Sequence, residues 1–311
     1  RNPELGQGVL TGYSYLDYIT NGIQPAELMI IAGSTGGGKS VLLNNIAIQM
    51  WMQKNTISTP KDQYSKGYNI LYFSLEMPFK ACFRRSMARL ADVPIYGLRD
   101  SSLAKAETDA VAMACKFIKH YPYKFQIVDI PRGTSAANIE DCFLQSMSTF
   151  TPDVVFVDYL GLMTDEEAVG EDWLNLGIIA GKLHEFGRIY NTRVVTAVQL
   201  NQVRGGKEKE PSELIGIHRI GRSSLILHHA NIGIQIETRK NENLRDTLIY
   251  HIIKNRDGEM GKHEIKKKFA HGAIFDVPFI APKNDDPSIL YGFSDEEDIS
   301  EQVAKIYGIS K

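Results

Sequence analysis

The segment GSTGGGKS, at residues 33–40, constrains the fold of this chain more than any other part of its sequence. It follows the P-loop pattern G-x-x-x-x-G-K-[ST], with the apolar run 28–32 before it and a helical pattern at 41–52 after it. Glycines let the backbone curl so that successive N–H groups point at phosphate oxygens, and the N-terminus of the following helix adds positive potential. A Gly-rich turn can contain Gly-Lys-Ser by chance, but the strand–loop–helix context favours a nucleotide site.

This motif predicts that the chain binds ATP together with Mg²⁺. The predicted nucleotide-binding residues are Gly33, Ser34, Thr35, Gly36, Gly37, Gly38, Lys39 and Ser40. Lys39 is expected to bridge the β- and γ-phosphates, and the Ser40 hydroxyl is expected to bind the metal. Asp158 ends the apolar run Val154–Asp158, which is the Walker B arrangement. An Asp after a strand is often only a turn residue, but in a chain with a P-loop we favour metal coordination.

Apolar runs of strand length alternate with longer helical patterns, which is typical of a parallel sheet with crossover helices. The sequence predicts further strands at 69–74, 125–130, 154–159 and 193–199. It predicts helices at 104–120, 136–150 and 172–190, and a last one at 299–307. After residue 200, the expected strands at 232–237, 247–254 and 263–269, with the turn signal Asp257-Gly258, indicate an antiparallel extension. Segments 54–66 and 207–213 are expected to be loops. The predicted fold class is therefore α/β, with a mostly parallel sheet flanked by helices and a C-terminal antiparallel hairpin extension.

Composition fits a globular protein but says little about partners. A length of 311 residues with 43% hydrophobic residues suits one α/β domain with terminal extensions, and we assign 1–7 to a linker remnant, 8–285 to the main domain and 286–311 to a tail. The net charge of −2 means that any DNA contact must come from local loops or from a channel between assembled copies. Three cysteines without CxxC spacing suit thiols in a reducing cytosol. No apolar run approaches the roughly 18 residues that a membrane span requires.

Four more polar side chains lie at or near predicted strand ends. Glu76 follows the strand 69–74, where it could orient and deprotonate an attacking water. Alternatively, it could be a residue at the N-terminus of a helix, where the helix dipole stabilises a negative charge. Gln199 could hydrogen-bond the γ-phosphate, or it could be a surface residue. Lys254 and Arg256 are two apart in a strand and so share a face. They could be an arginine finger and its supporting lysine, directed at a neighbouring subunit's γ-phosphate, or the solvated basic edge of a hairpin.

The order and approximate spacing of these motifs resemble the DnaB family of hexameric replicative DNA helicases over residues 8–275. Besides the P-loop, the resemblance rests on the segments GVLTGY at 8–13, YFSLEM at 72–77, VDYL at 157–160, QLN at 199–201 and KNR at 254–256. It implies a RecA-like ATPase core in which Glu76 is the catalytic base and Gln199 senses the γ-phosphate. It also implies that Lys254 and Arg256 act on the nucleotide of the adjacent subunit.

The same resemblance implies single-stranded DNA as a partner, bound in the central channel of a hexamer, with primase and a helicase loader as further partners. The contact loops of the family correspond here to residues 163–172 and 202–224. The first is acidic, and the implied DNA-binding residues lie in the second: Arg204, Lys207, Arg219, Gly221 and Arg222. A solvated loop is the alternative for these residues. The implied location is the cytoplasm of a bacterium or of a phage-infected host.

Two departures from the family pattern indicate a divergent member, such as a phage-encoded one. The segment LHHAN at 227–231 replaces an acidic, Gln-rich stretch, and Gly161 stands where Gln is common. Alternatives to a helicase are another RecA-like ATPase, of the recombinase or clock type, and a nucleotide-gated loader or scaffold that hardly hydrolyses ATP. A recombinase would lack the Ser-Leu-Glu-Met and Lys-x-Arg pairings, and a scaffold would lack the base or the finger.

Overall fold

Nine β-strands form one mixed sheet in the computed structural model, which describes residues 8–52, 67–165, 172–200, 224–238 and 246–280. The strands are β1 (Leu28–Gly33), β2 (Ile70–Ser74), β3 (Phe125–Asp129), β4 (Val154–Asp158), β5 (Arg193–Gln199), β6 (Ile232–Thr238), β7 (Thr247–Asn255), β8 (Gly261–Lys268) and β9 (Ala273–Asp276). Their order across the sheet is β3-β2-β4-β5-β1-β6-β7-β8-β9. The strands from β3 to β6 in this order are parallel, and β6, β7, β8 and β9 pair antiparallel.

Helices cover both faces of the parallel part of this sheet. They are α1 (Ser14–Thr20), α2 (Lys39–Trp51), α3 (Phe79–Ala91), α4 (Ile95–Asp100), α5 (Lys105–His120), α6 (Ala136–Ser146), α7 (Asp172–Ile189) and α8 (Ser224–His229). Alternate residues of β1 pack against the helices on opposite faces of the sheet, because successive side chains of a strand point in opposite directions. Met29 and Ile31 pack with α2, whereas Leu28 and Ile30 pack with the side that carries α6, α7 and α8. All six residues of β1 are buried, as expected for a central parallel strand.

The predicted fold class is confirmed, including the antiparallel extension after residue 200. Strand β5 has the predicted bounds, and the other predicted strands differ by one or two residues. Helix α2 begins at Lys39 rather than at residue 41, because the helix starts inside the P-loop motif. Helix α6 ends at Ser146 rather than at residue 150. The bends at 256–258 agree with the predicted turn between β7 and β8.

Other elements were not predicted, notably α3, α4, α8 and β9. The loops expected at 54–66 and 207–213 and the helix expected at 299–307 lie outside the described residues, as does the proposed tail. Among the helices that the structure describes, none is both long enough and apolar enough to cross a bilayer.

Candidate nucleotide-binding and catalytic site

The P-loop connects β1 to α2 by a tight turn that depends on glycine. Gly36 and Gly38 have φ values of 71° and 95°, which L side chains rarely adopt. The ring of Phe269 lies against Gly38, and a Cβ atom on Gly38 would be 2.6 Å from its Cζ. Gly38 precedes α2 and has no side chain to cap it, so the first N–H groups of the helix can serve phosphate oxygens.

Lys39 lies across this loop, with its Nζ donating a hydrogen bond of 2.8 Å to the carbonyl oxygen of Ser34. Burial lowers the pKa of Lys39, while the nearby charges of Glu76 and Asp158 oppose that shift. The ammonium group therefore lies among the P-loop carbonyl and two carboxylates. A phosphate group could replace the contact to Ser34 and supply a negative charge at the same place.

Asp158 and Ser40 form the part of the site that suits a metal ion. The Ser40 hydroxyl donates to Oδ1 of Asp158 at 2.8 Å, and the Tyr72 hydroxyl donates to Oδ2 at 2.9 Å. Asp158 is almost fully buried, and burial raises its pKa although both hydrogen bonds oppose the shift. A buried carboxylate beside a hydroxyl offers hard oxygen donors, which is the type of ligand that Mg²⁺ requires. The residues present therefore fit the expected ion.

Glu76 and Gln199 lie at the same edge of the sheet as the P-loop. In the strand register Ser74 pairs with Asp158, and Gly33 pairs with Gln199. The carboxyl ends of β1, β2, β4 and β5 therefore meet at one edge, where ligands of open α/β sheets bind. Both Glu76 and Gln199 are exposed there.

Hydrogen bonds of the residues on either side of Glu76 fix its position. The N–H of Leu75 donates to the carbonyl oxygen of Asp158 at 2.9 Å. The Ser74 hydroxyl donates to the carbonyl oxygen of Met77 at 2.7 Å, so the turn that carries Glu76 is held on both sides. Such a turn leaves the carboxylate free to face a water molecule at the edge of the sheet.

Lys254 and Arg256 lie at the opposite edge. The N–H of Arg256 donates to the carbonyl oxygen of Asn231, whose own N–H donates to Leu28 at the start of β1. The P-loop begins five residues later, at the other end of the same strand, which corresponds to about 17 Å. The pair is therefore remote from the P-loop of its own chain.

The two cations also differ in their surroundings. Strand β7 ends at Asn255, so Arg256 lies just beyond the strand and is exposed. Lys254 is half-buried, and its Nζ donates to the carbonyl oxygens of Leu227 at 2.6 Å and His228 at 2.9 Å near the C-terminus of α8. Burial is the main cause that lowers the pKa of Lys254, and the charge of Arg256 adds to it.

The expected DNA-binding residues, Arg204, Lys207, Arg219, Gly221 and Arg222, lie outside the described residues. In the first expected DNA loop, Asp165 is buried and forms an ion pair of 2.9 Å with Lys182 of α7. Its charge is therefore compensated inside the protein, although Asp165 contributes to the acidic character of that loop in the sequence.

Sequence reasoning did not find Tyr72 or Phe269 as parts of the site. Tyr72 is buried in β2 and holds the carboxylate of Asp158, while Phe269 covers Gly38. A buried tyrosine usually needs a hydrogen-bond partner, so the hydroxyl within an otherwise apolar strand was an available signal for Tyr72. The sequence carried no such signal for Phe269, because its contact depends on how the antiparallel extension returns to the P-loop.

The chain is similar to known replicative DNA helicases. The family model described as "DnaB-like helicase C terminal domain" matches residues 8–272. The replicative DNA helicase DnaB of Mycoplasma genitalium is 25% identical over 290 residues, which cover 90% of this chain and 58% of that protein. The Haemophilus influenzae DnaB is also 25% identical, over 83% of this chain and 53% of its own length. The chain thus spans about half the length of these curated relatives.

Two solved structures share the fold at low sequence identity. A solved ATPase domain has a TM-score of 0.73 and 19% identity, and the match covers 87% of this chain and 92% of that one. A DnaB-like replicative helicase, described together with its interactions with primase, has a TM-score of 0.71 and 18% identity. That match covers 87% of this chain and 62% of the other.

Proposed function

Because the chain belongs to the DnaB-like helicase C-terminal domain family, we propose that it is the ATP-hydrolysing motor of a replicative DNA helicase. It acts as a ring, most simply a hexamer, that moves along single-stranded DNA and excludes the other strand. Its cofactors are ATP and Mg²⁺, and its further partners are a primase and a helicase loader in the cytoplasm of a bacterium or phage-infected host. The observation that carries this proposal is the separation of the P-loop from Arg256, at opposite edges of one sheet.

One protomer supplies the groups that bind the nucleotide and attack it. Lys39 and the P-loop N–H groups bind the phosphates, and Ser40 and Asp158 hold Mg²⁺, which when bound neutralises charge on the phosphate oxygens. Glu76 orients the attacking water and accepts its proton. Gln199 hydrogen-bonds the γ-phosphate from the end of β5. The meeting of four parallel strand ends supports these roles, because it brings all five side chains to one edge.

The next protomer supplies the missing cations. Arg256 neutralises the charge that develops on the γ-phosphate during its transfer, and Lys254 supports it. Since Arg256 is about 17 Å along β1 from the P-loop of its own chain, it can reach a nucleotide only in another copy. Isolated protomers are therefore expected to bind ATP but to hydrolyse it slowly.

The chain order supports a link between hydrolysis and DNA movement. The proposed DNA loop, residues 202–224, starts three residues after Gln199 and runs into α8. Lys254 is bound to carbonyl oxygens at the C-terminus of α8. The start of the loop therefore adjoins Gln199, which senses the γ-phosphate of the same protomer. Helix α8, which follows the loop, contacts Lys254, which acts on the nucleotide of the neighbouring protomer. A change at either nucleotide can then shift the loop.

The test is the ATPase rate against protein concentration, with and without single-stranded DNA, for the parent chain and Arg256→Ala. Arg99→Ala is the matched control, because Arg99 is exposed on α4 and, among the residues that the structure describes, pairs with its neighbour Asp100. We expect the parent rate per protomer to rise with concentration and with DNA. Arg256→Ala is expected to lose roughly 10³-fold in rate, as for other arginine fingers, while ATP binding survives.

The proposal fails if the rate per protomer is constant with concentration and Arg256→Ala behaves like Arg99→Ala. Each site would then be complete within one chain, and a ring mechanism would have no basis. Equal ATPase rates with and without single-stranded DNA in an assembled sample would contradict the helicase function and would leave only the ATPase activity.

A further inference from the structure

Basic side chains from three elements converge at the amino-terminal edge of the sheet. Helix α7 runs back from the P-loop edge to this edge before β5 begins, and α8 ends here before β6 begins. The turn after β7 lies at the same edge. The members of this basic cluster are His184 and Arg188 from α7, His228 and His229 from α8, and Lys254 and Arg256 from β7 and the turn after it.

An open cavity of about 440 Å³ lies between α7 and α8 within this cluster. His184, Arg188 and His229 line it, and Glu185 contributes a carboxylate to its wall. The ring of His229 lies directly over Gly181 of α7, where an added Cβ atom would be 3.2 Å from Cε1. The small residue therefore lets the imidazole pack closely against α7, with the cavity beside it.

The electrostatics of the cluster favour an anion. The charges of Arg256, Arg188, His229 and Lys254 all act on His184. The further charged groups that face this region are Lys182 and Glu185 on α7, and Glu27, Arg193 and Asp257 near Arg256. Lys182 is paired with Asp165, which offsets its positive charge. The charged groups Arg188, Lys254 and Arg256 repel one another, and they oppose protonation of the histidines, unless an anion lies among them.

We propose that His184, Arg188 and His229 form, with Arg256, a binding site for the phosphate groups of the nucleotide held by a second copy of this chain. This rests on the proposed function, which places Arg256 against that nucleotide. Arginine presents paired donors that match phosphate oxygens, and protonated imidazoles add further charged donors. His228 and His229 lie in the segment where this chain departs from the acidic pattern of the family. Acidic residues there would repel a phosphate, whereas a histidine attracts it once it is protonated.

Proton uptake should accompany binding at this site. Burial is the main cause that lowers the pKa of His184 and of His229, and the neighbouring cations add to it. Both imidazoles are therefore mostly neutral at neutral pH in the separate protomer. A phosphate beside them favours the charged forms and raises both pKa values, so binding takes up protons and becomes tighter as pH falls. Each proton taken up tightens binding by about tenfold per pH unit within the window between the free and bound pKa values.

The experiment measures self-association of the full chain by sedimentation, with Mg²⁺ and either a slowly hydrolysed ATP analogue or ADP, from about pH 6 to pH 8. The variants are the double variant His184→Gln/His229→Gln, Arg188→Gln and Arg256→Ala. His120→Gln is the matched control, because His120 is an exposed histidine of α5. For the parent we expect association with the ATP analogue to tighten at least about tenfold as pH falls, and much less with ADP. The double variant should lose this pH dependence, and Arg188→Gln should weaken association at every pH.

The outcomes separate this site from the proposed function. If Arg256→Ala abolishes analogue-dependent association while the histidine and Arg188 variants match His120→Gln, the phosphate site is wrong and the trans-acting arginine stands. If Arg256→Ala is also neutral, the proposed function fails together with this site. If the histidine and Arg188 variants leave nucleotide-dependent association unchanged but weaken binding of a single-stranded oligonucleotide, the cluster serves DNA and the proposal is overturned.

Discussion

Ser40 and Asp158 are joined by a hydrogen bond of 2.8 Å between the first turn of α2 and the last residue of β4. The two residues are 118 positions apart in sequence, and β5 lies between β4 and the strand that leads to Ser40. Their contact places a hydroxyl and a buried carboxylate side by side. Burial raises the pKa of Asp158, so the negative charge is costly in this position until a positive partner is bound.

We expect Asp158→Asn to abolish the stabilisation of the protein by Mg²⁺ and ATP without weakening the metal-free fold. Because the folded pKa of Asp158 is raised, its contribution to the free energy of unfolding is fully present below the unfolded pKa of about 3.9. That contribution is lost as pH rises through the folded pKa. At neutral pH the metal-free variant should therefore unfold at the same temperature as the parent or higher. The parent should gain about 2.7 kcal/mol at a ligand concentration of 100 times Kd, and the variant much less.

Thermal unfolding with and without Mg²⁺ and ATP, repeated at several pH values, measures both effects. As pH falls, Asp158 becomes protonated, and Mg²⁺ must then displace a proton in order to bind. Because the pKa of Asp158 is raised, the stabilisation of the parent by Mg²⁺ and ATP should decline at a higher pH than it would for a metal site with an ordinary aspartate. Asp109→Asn, on the exposed surface of α5, is the control for removal of one carboxylate. If Asp158→Asn keeps the full increase in unfolding temperature on addition of Mg²⁺ and ATP, Asp158 is not a metal ligand.

Tyr72→Phe should weaken Mg²⁺ activation by roughly tenfold, because groups that orient a metal ligand typically matter by that factor or more. The Tyr72 hydroxyl is fully buried and donates to Oδ2 of Asp158, the oxygen opposite to the one bound by Ser40. Without it, the carboxylate loses the contact that fixes its orientation. The measurement is the Mg²⁺ concentration that gives half-maximal ATPase activity.

Tyr13→Phe separates this effect from a general loss of stability. Its hydroxyl is also buried and donates to the carbonyl oxygen of Ile274, away from the P-loop. Each substitution should lower the free energy of unfolding by about 1 kcal/mol. Only Tyr72→Phe should change the Mg²⁺ requirement, and equal Mg²⁺ curves for the two variants would contradict the role assigned to Tyr72.

The parallel core could be predicted from sequence because its strands are continuous apolar runs and its P-loop has a distinctive local pattern. The alternation of side chains then relates the functional residues to one another. Phe156 packs on the α2 side of the sheet, so Asp158, two residues later in the same strand, points to that side as well. Tyr72 packs in the same cluster, two residues before the strand position that pairs with Asp158.

Other parts of the structure depend on contacts that sequence patterns do not encode. Helix α3 was missed because its 13 residues include a charged and aromatic exterior, with Phe79 and Phe83 exposed and stacked on each other. The remoteness of Arg256 from its own P-loop follows from the antiparallel return of β7 along β6. The pattern at 247–254 predicted a strand but not which strand it pairs with. The antiparallel pairing of β7 with β6 determines the edge of the sheet at which β7 ends.

Glu76→Gln should lower the ATPase turnover number by about 10²- to 10⁴-fold while leaving ATP binding unchanged. The turn that carries Glu76 is held by backbone contacts of Leu75 and by the Ser74 hydroxyl, so the substitution should not disturb the fold. Stopped-flow binding of a fluorescent ATP analogue and steady-state turnover measure the two properties separately. Equal losses in binding and turnover would indicate that Glu76 positions the nucleotide rather than the water.

Gly38→Ala should destabilise the protein more than Gly133→Ala, although both glycines have positive φ values, 95° and 83°. An alanine at either position pays about 1–2 kcal/mol for the left-handed conformation. At Gly133 no atom lies within 4 Å of the added Cβ, whereas at Gly38 the Cβ would be 2.6 Å from Cζ of Phe269. Urea unfolding of the two variants therefore isolates the steric contribution of Phe269 as their difference. Equal losses would mean that the Phe269 ring moves away freely, and the antiparallel extension would then have no part in shaping the P-loop.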